Sequence, residues 1–402
     1  MRSFTRSFAM GSSLLVACCG ELAVAATNEE RIEKLEAQVE ALTEEVEQSR
    51  GRDSRWDRLH IGGYGELHYN NLDADDPDND LDQVDFHRFV LFFGYEFTEK
   101  LRFYSELELE HALTEDSSDG SNEGELELEQ AYIQYDINDN SSIRGGLMLI
   151  PVGILNETHE PPTFYGVERN DVENIIIPTT WWEAAASYTQ RFDVGLSWDL
   201  MVSSGLNIPV SGSSAFRVRS GRQKVSEAIA RDGAVTTRLK YTGYPGLEVA
   251  GTVQYQAGPA QGAQLTSGVE GIDDGLLFSG HLIYHYGPFG FRGLYARWDF
   301  NGAGIEAAGV DEQRGWYVEP SVKPFSERFL PILKDKVGFY FRYEDVKAAR
   351  TQDRFDQWET GFNFWPHPSV VLKFDYRDRS HDLVAQRGRD FTGFDLGIGY
   401  QF

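Results

Sequence analysis

Cysteine is almost missing from this 402-residue chain: there are two, Cys18 and Cys19. From residue 20 onward there can be no disulfide, thiol nucleophile or cysteine metal site. Long apolar runs are missing as well. After the first thirty positions no stretch of about 18 apolar residues occurs, so no helix of this part can span a bilayer. A wall of alternating strands stays possible, because only every second residue of such a strand need be apolar. Basic residues are scarce: 37 Lys and Arg stand against 64 Asp and Glu, a net charge of -27, which argues against nucleic acid as a partner. Familiar catalytic and metal signatures are absent too, with no Gly-x-Ser-x-Gly, His-Glu-x-x-His, Gly-x-x-x-x-Gly-Lys or zinc spacing. His281 and His285 share a strand face but stand about 13 Å apart along it, too far for one metal. No metal site, no cofactor and no enzymatic activity are expected.

What is present is a two-residue rhythm, rich in aromatics (13%) and in Gly (40 residues). In the last stretch Phe394, Leu396, Ile398, Tyr400 and Phe402 fall on one parity, and Asp395, Gly397, Gly399 and Gln401 on the other. Successive side chains leave a strand on opposite faces, so one face is greasy and one wet. The pattern recurs from Leu59 onward, in segments joined alternately by short turns and long loops. Leu101, Phe103, Leu107 and Leu109 alternate with Arg102, Tyr104, Glu106, Glu108 and Glu110. Charge at every second position costs about 2–4 kcal/mol each on a lipid face at mid-depth, so that parity must be the wet one. The fold expected is all-β: a transmembrane antiparallel β-barrel of about sixteen strands over residues 59–402. Tyr295, Arg297 and Asp299 are assigned to the inward face on the same rule. An edge strand of a soluble β-protein is the competing reading of the last segment.

Ahead of the barrel, Arg2 and Arg6, an apolar core from Phe8 to Cys19 and Ala23-Val24-Ala25 read as a signal peptide over residues 1–25. Leu15-Val16-Ala17-Cys18 offers a second reading, a lipidation site at Cys18. Ile32, Leu35, Val39, Leu42 and Val46 repeat at spacings of 3 and 4, the seam of a short N-terminal coiled-coil helix over residues 26–50. Residues 51–58 are a linker.

A long connection, residues 153–180, holds more apolar residues than a free loop needs: Ile154, Leu155, Phe164, Tyr165 and Ile175 to Ile177. Pro161 and Pro162 stiffen it. Packing on the inner wall of the barrel would make it a constriction, with Glu157, His159, Glu160, Tyr165, Glu168 and Arg169 as its polar surface. Docking on top of the barrel or against a neighbouring subunit is the alternative. Candidate solute-contacting cations are Arg88, Arg102, Arg144, Arg169, Arg238, Lys240, Arg297, Arg342, Lys373 and Arg377. Inward acids are at least as numerous, so these cations either form an anion path or pair across strands and merely keep the lumen wet. A second long loop, residues 204–234, is unusually basic, with Arg217, Arg219, Arg222, Lys224 and Arg231.

Asp85-Phe86-His87-Arg88, the run Glu129-Gln130-Ala131-Tyr132-Ile133-Gln134-Tyr135, and Pro151-Val152-Gly153 resemble the phosphate-selective porin O/P family, loosely over Leu59 to Phe402. The resemblance implies a sixteen-stranded homotrimeric outer-membrane channel with its third loop inside the barrel. It also implies phosphate selection by inward arginines, with lysines at the constriction. Here the third loop has Arg169 alone as a basic residue, against Glu157, Glu160, Glu168, Asp171 and Glu173. The function expected is an outer-membrane porin for passive diffusion of small polar or ionic solutes, phosphate and other anions among them. Its partners would be two further copies, outer-membrane lipid and lipopolysaccharide. A structural or adhesin-type barrel with a blocked lumen, and an outer-membrane barrel hydrolase, are the rivals.

Overall fold

A computed structural model describes Val39 and residues 56–112, 124–265, 268 and 271–402. The expected signal peptide and coiled coil, and most of the linker, lie outside the described residues. The chain divides into two units, Met1–Asp57 and Arg58–Phe402, and the second is a closed barrel.

Its sixteen strands are β1 (Leu59–Ala74), β2 (Leu81–Glu96), β3 (Leu101–Glu110), β4 (Leu126–Asn138), β5 (Ser141–Leu149), β6 (Trp182–Phe192), β7 (Leu196–Ser203) and β8 (Ala234–Tyr241), then β9 (Leu247–Ala257), β10 (Asp274–Tyr286), β11 (Phe289–Asn301), β12 (Glu312–Val322), β13 (Val337–Lys347), β14 (Arg354–His367), β15 (Val370–His381) and β16 (Phe391–Gln401). Each pairs antiparallel with its sequence neighbours, and β16 pairs with β1 to close the ring. Closure leaves no edge with unpaired backbone groups, the requirement for a sheet surrounded by lipid. At the seam Gly63 and Phe402 exchange backbone hydrogen bonds of 3.0 and 2.9 Å. Gly63 has to be glycine there: a Cβ would stand 2.3 Å from the Val90 carbonyl oxygen.

The rhythm of the sequence sorts the two faces. Along β1, Tyr64, Glu66, His68 and Asn70 are buried inside the ring, whereas Ile61 is 61% exposed on the outside. Phe339, Phe341, Leu396 and Ile398 are likewise exposed outward. A contiguous apolar outer surface of this kind is unfavourable in water and favourable against acyl chains.

The interior is not uniformly wet. Inward on β11, Leu294, Ala296, Trp298 and Phe300 belong to a buried apolar cluster with Ile150, Ile176 and Trp181, which flank or lie in the third loop, and with Leu206, Ile208 and Val218 of the basic loop. Trp298 stacks on Phe300 at 5.1 Å and meets Trp181 at 6.2 Å. Each fully buried side chain of this size is worth about 1.5–3 kcal/mol relative to exposure, here relative to a water-filled lumen. This cluster reverses one expectation. On β11 the inward parity is the apolar one, so Tyr295, Arg297 and Asp299 point outward. Arg297 donates to Asp299 at 2.9 Å and lies 3.2 Å from Glu312. A wall covered from inside by a folded loop has an apolar partner on its inner face, and the rule that wet means inward fails there.

Candidate functional site

The third loop begins after β5. A turn at Pro161–Thr163 and the left-handed backbone at Gly166 (φ +85°) bend it across the inward faces of β12 to β16. A Cβ on Gly166 would stand 2.4 Å from a Glu359 carboxylate oxygen. Four bonds fix the bend. Asn363 donates to the Phe164 carbonyl at 2.9 Å, Arg342 to that of Tyr165 at 2.7 Å and Lys373 to that of Gly166 at 2.7 Å, and the Val167 amide donates to Asp375 at 2.7 Å. Tyr165 stacks on Tyr340 with ring centres 5.1 Å apart. Further along, the buried Glu173 accepts from the Ile154 and Leu155 amides, both at 2.7 Å, and from the Tyr317 hydroxyl at 2.8 Å. One of the loop's five acids is therefore an internal brace.

Most of the inward cations are neutralised in place. Arg342 is buried between Glu319 (2.7 Å) and Glu359 (3.1 Å). Arg377 bonds Asp395 at 2.5 Å, Arg88 forms an ion pair with Glu66 at 2.5 Å, and Arg102 pairs with Asp136. Lys373 has its ammonium 3.5 Å from the Phe164 ring centre. Arg342, Lys373 and Arg377 thus hold the loop and wall together and have little charge left for a mobile ion. Arg297 stands outside the barrel altogether.

Among the described residues, two cavities hold most of the cations that border open space, and a further one is lined by Arg292, Lys323 and Lys336. One cavity, of about 210 Å³, follows β5 to β8 and is lined by Arg144, Arg191, Arg238 and Lys240 together with Glu157 and Asp199. Arg238 serves both acids: it bonds Asp199 at 2.8 Å and also pairs with Glu157. Burial raises the Glu157 pKa, but the Arg238 charge outweighs it and holds the group below the ordinary carboxylate range. Arg144 donates to Gln134 at 2.8 Å and lies over the Tyr132 ring. A second cavity, of about 270 Å³, lies under the outer loops, where Arg169, Arg219, Arg222 and Lys224 face Glu110 and Glu168 among others. Arg169 donates to the Thr180 hydroxyl at 3.0 Å, but its Nε and Nη2 are buried with no hydrogen-bond partner among the described residues. Arg219 donates to the Thr179 carbonyl at 2.6 Å. Burial pulls its pKa down to about 9, still cationic at neutral pH. Glu168 accepts from Asn70 at 3.0 Å, and His159 lies 3.4 Å from Glu106. Glu160 is half-buried and makes no ion pair among the described residues.

Residues 61–402 match the family model for phosphate-selective porins O and P. The chain belongs to this family. It is 32% identical over 349 residues to an uncharacterised protein of Aquifex aeolicus, covering 79% of this chain and 75% of that one. Among solved structures it is similar to Salmonella typhi OmpF in complex with daunomycin (14% identity, TM-score 0.57, 86% of this chain and 97% of that one). It is also similar to an anion-selective porin from Comamonas acidovorans (12%, TM-score 0.56, 86% and 99%) and to the outer-membrane channel DcaP of Acinetobacter baumannii (14%, TM-score 0.54, 86% and 97%). At these identities the solved structures speak for the fold. Family and fold together place this porin in the bacterial outer membrane and point to a channel rather than an enzyme.

Sequence reasoning overlooked several residues that line the porin's cavities. Arg191 is inward on β6 by plain alternation and was legible. Arg219, Arg222 and Lys224 stood out only as a basic run, because nothing in the sequence says that their loop reaches Thr179 and Thr180. Arg292, inward on β11, donates to the Thr163 carbonyl at 2.6 Å and was displaced from the candidates by the misassigned Arg297.

Proposed function

We propose that this porin passes small anions, phosphate among the candidates, by passive diffusion along the β5–β8 side of its lumen, with the third loop setting the constriction. One observation carries the reading: in the cavity of about 210 Å³ four cations face two acids, and one of those cations, Arg238, already satisfies both. Arg144, Arg191 and Lys240 are left without a carboxylate within 4 Å among the described residues, and charges lining a narrow aqueous path decide which ion enters. The outer cavity adds no sign of its own, because its five cations face five carboxylates. The channel works as a homotrimer in outer-membrane lipid and lipopolysaccharide. On the outward face Arg297, Arg314 and Lys347 stand opposite one another on β11, β12 and β13 but are paired with Asp299, Glu312 and Asp345, so contact with lipopolysaccharide rests on the outer-membrane location.

A second reading, a structural or adhesin-type barrel with a closed lumen, draws on the apolar cluster that fills the β10–β14 side. Planar-bilayer recording separates the two. The anion channel gives conductance steps in groups of three and a reversal potential on the anion side under a chloride or phosphate gradient. Absence of steps from folded protein would favour the closed barrel.

A further inference from the structure

Three of the chain's nine histidines stand in one row at the outer ends of β1, β2 and β3. His68 stacks on His87 at 4.6 Å, and His87 meets His111 edge-on at 5.7 Å. We propose that Asp85, His87 and His111 form a binding site for a borderline transition-metal cation of the Zn²⁺ class, at the outer mouth of the channel.

The geometry is built by the sheet. On β1 Glu66 pairs with Arg88 and His68 with Asp85, so two steps along β1 match three along β2. The extra residue is a β-bulge, which re-aims side chains next to it. It turns Arg88 to the same side as Asp85, three residues away, while Asp85 and His87, two apart, share a face by alternation alone. His111 is brought over the bulge by the turn after β3: its amide donates to the His87 carbonyl at 3.1 Å. Its backbone is left-handed (φ 52°), an uncommon conformation outside glycine.

The ligand atoms converge. Nδ1 of His87 and Nδ1 of His111 lie 3.1 and 2.9 Å from the same oxygen, Oδ2 of Asp85. One donor atom from each of the three residues lies within 4.8 Å of the others. Tetrahedral Zn²⁺ with bonds of 2.0–2.1 Å separates its ligands by about 3.4 Å, so small side-chain adjustments admit the ion. Asp85 and His87 are half-buried and His111 is exposed, leaving a coordination position open to water. Two imidazoles and one carboxylate suit Zn²⁺, Cu²⁺ or Ni²⁺, whereas Ca²⁺ and Mg²⁺ need all-oxygen shells. His68 and Glu168, 3.0 Å apart, form a neighbouring group that shares His87 and supports its ring from the other side. Sequence spacing shows only half of the site: Asp85 and His87 are two apart on β2, but His111 comes from the turn after β3.

The site stands on its ligands and does not depend on which solute the channel carries. The test is calorimetric titration of the full-length protein in detergent with ZnCl₂, at neutral pH. One saturable Zn²⁺ per chain is expected, unaffected by millimolar Mg²⁺. Loss of a direct ligand in His111→Ala or Asp85→Asn should weaken binding by more than about tenfold, at least as much as loss of a supporting partner. His285→Ala, remote from the site, should bind like wild type. Heat-modifiable gel mobility verifies that each variant barrel is folded, and the milder His111→Gln serves if the alanine variant is not. Failure of the wild type to saturate, equal competition by Mg²⁺, or undiminished binding in the folded variants would overturn the site.

Discussion

Arg191→Gln combined with Lys240→Gln removes two positive charges from the β5–β8 cavity without touching the Arg238 bridge to Asp199 and Glu157. In the native cavity four cations oppose two acids; in the variant two oppose two, and the net charge of the lining falls from +2 to zero. A unit charge at about 6 Å in water contributes about 0.7 kcal/mol. Two contribute about 1.4 kcal/mol, and physiological salt, with a Debye length of about 8 Å, roughly halves that. An anion loses this stabilisation and a cation is relieved of the same repulsion. The ratio of anion to cation permeability should therefore fall by about tenfold near 0.15 M salt and more steeply at 0.01 M. The assay is the reversal potential of the purified double variant in a planar bilayer under a KCl gradient, at two ionic strengths. An unchanged reversal potential at low salt, with unitary conductance intact, would refute the reasoning and move the selective element elsewhere.

Arg297→Gln should leave reversal potential and conductance unchanged, because Arg297 lies outside the barrel; a shift toward cations would return it to the lumen. Arg342→Met leaves Glu319 and Glu359 without their shared cation and should cost about 3–5 kcal/mol, read as a lower heat-modification temperature on gels. Trp298→Ala opens the apolar cluster and breaks the hydrogen bond from the indole to the Ile176 carbonyl (3.1 Å). It should cost about 3–5 kcal/mol and appear as noisier single-channel current. Acid should loosen the third loop through Glu157. Its pKa in the folded protein is depressed, so its contribution is complete above the ordinary carboxylate value of about 4.3 and is lost as pH falls through the lower folded value. Current noise should rise only below about pH 4, and Glu157→Gln should show that noise at neutral pH.

The barrel was legible because lipid imposes one rule on every strand. β3 (Leu101–Glu110) and β16 (Phe391–Gln401) fall on the two stretches whose alternation is plainest in the sequence. Ends are less legible where no residue is forced: β1 runs to Ala74 and β2 begins at Leu81, so acidic residues such as Asp73 and Asp82 lie within the strands. The rule broke on β11, where a folded loop supplies an apolar partner from inside, so Trp298 and Phe300 face inward and Arg297 faces out. The cations of the site were legible as inward, but not which were spent as anchors. Arg144 and Arg342 look alike in the sequence. One borders open space and the other is locked between Glu319, Glu359 and a loop carbonyl, and only three-dimensional pairing separates them. The histidine row was illegible for the same reason, since a bulge and a turn create it.

Substituted-cysteine accessibility tests the central claim most directly, because residues 20–402 contain no native thiol. Ser187 lines the β5–β8 cavity, and Ala296 lies inward on β11 beneath the third loop, fully buried in the apolar cluster. A small charged thiol-reactive methanethiosulfonate should lower the conductance of Ser187→Cys in discrete steps and leave Ala296→Cys unaffected. Block at Ala296→Cys with Ser187→Cys untouched would put the ion path on the opposite wall and contradict the account.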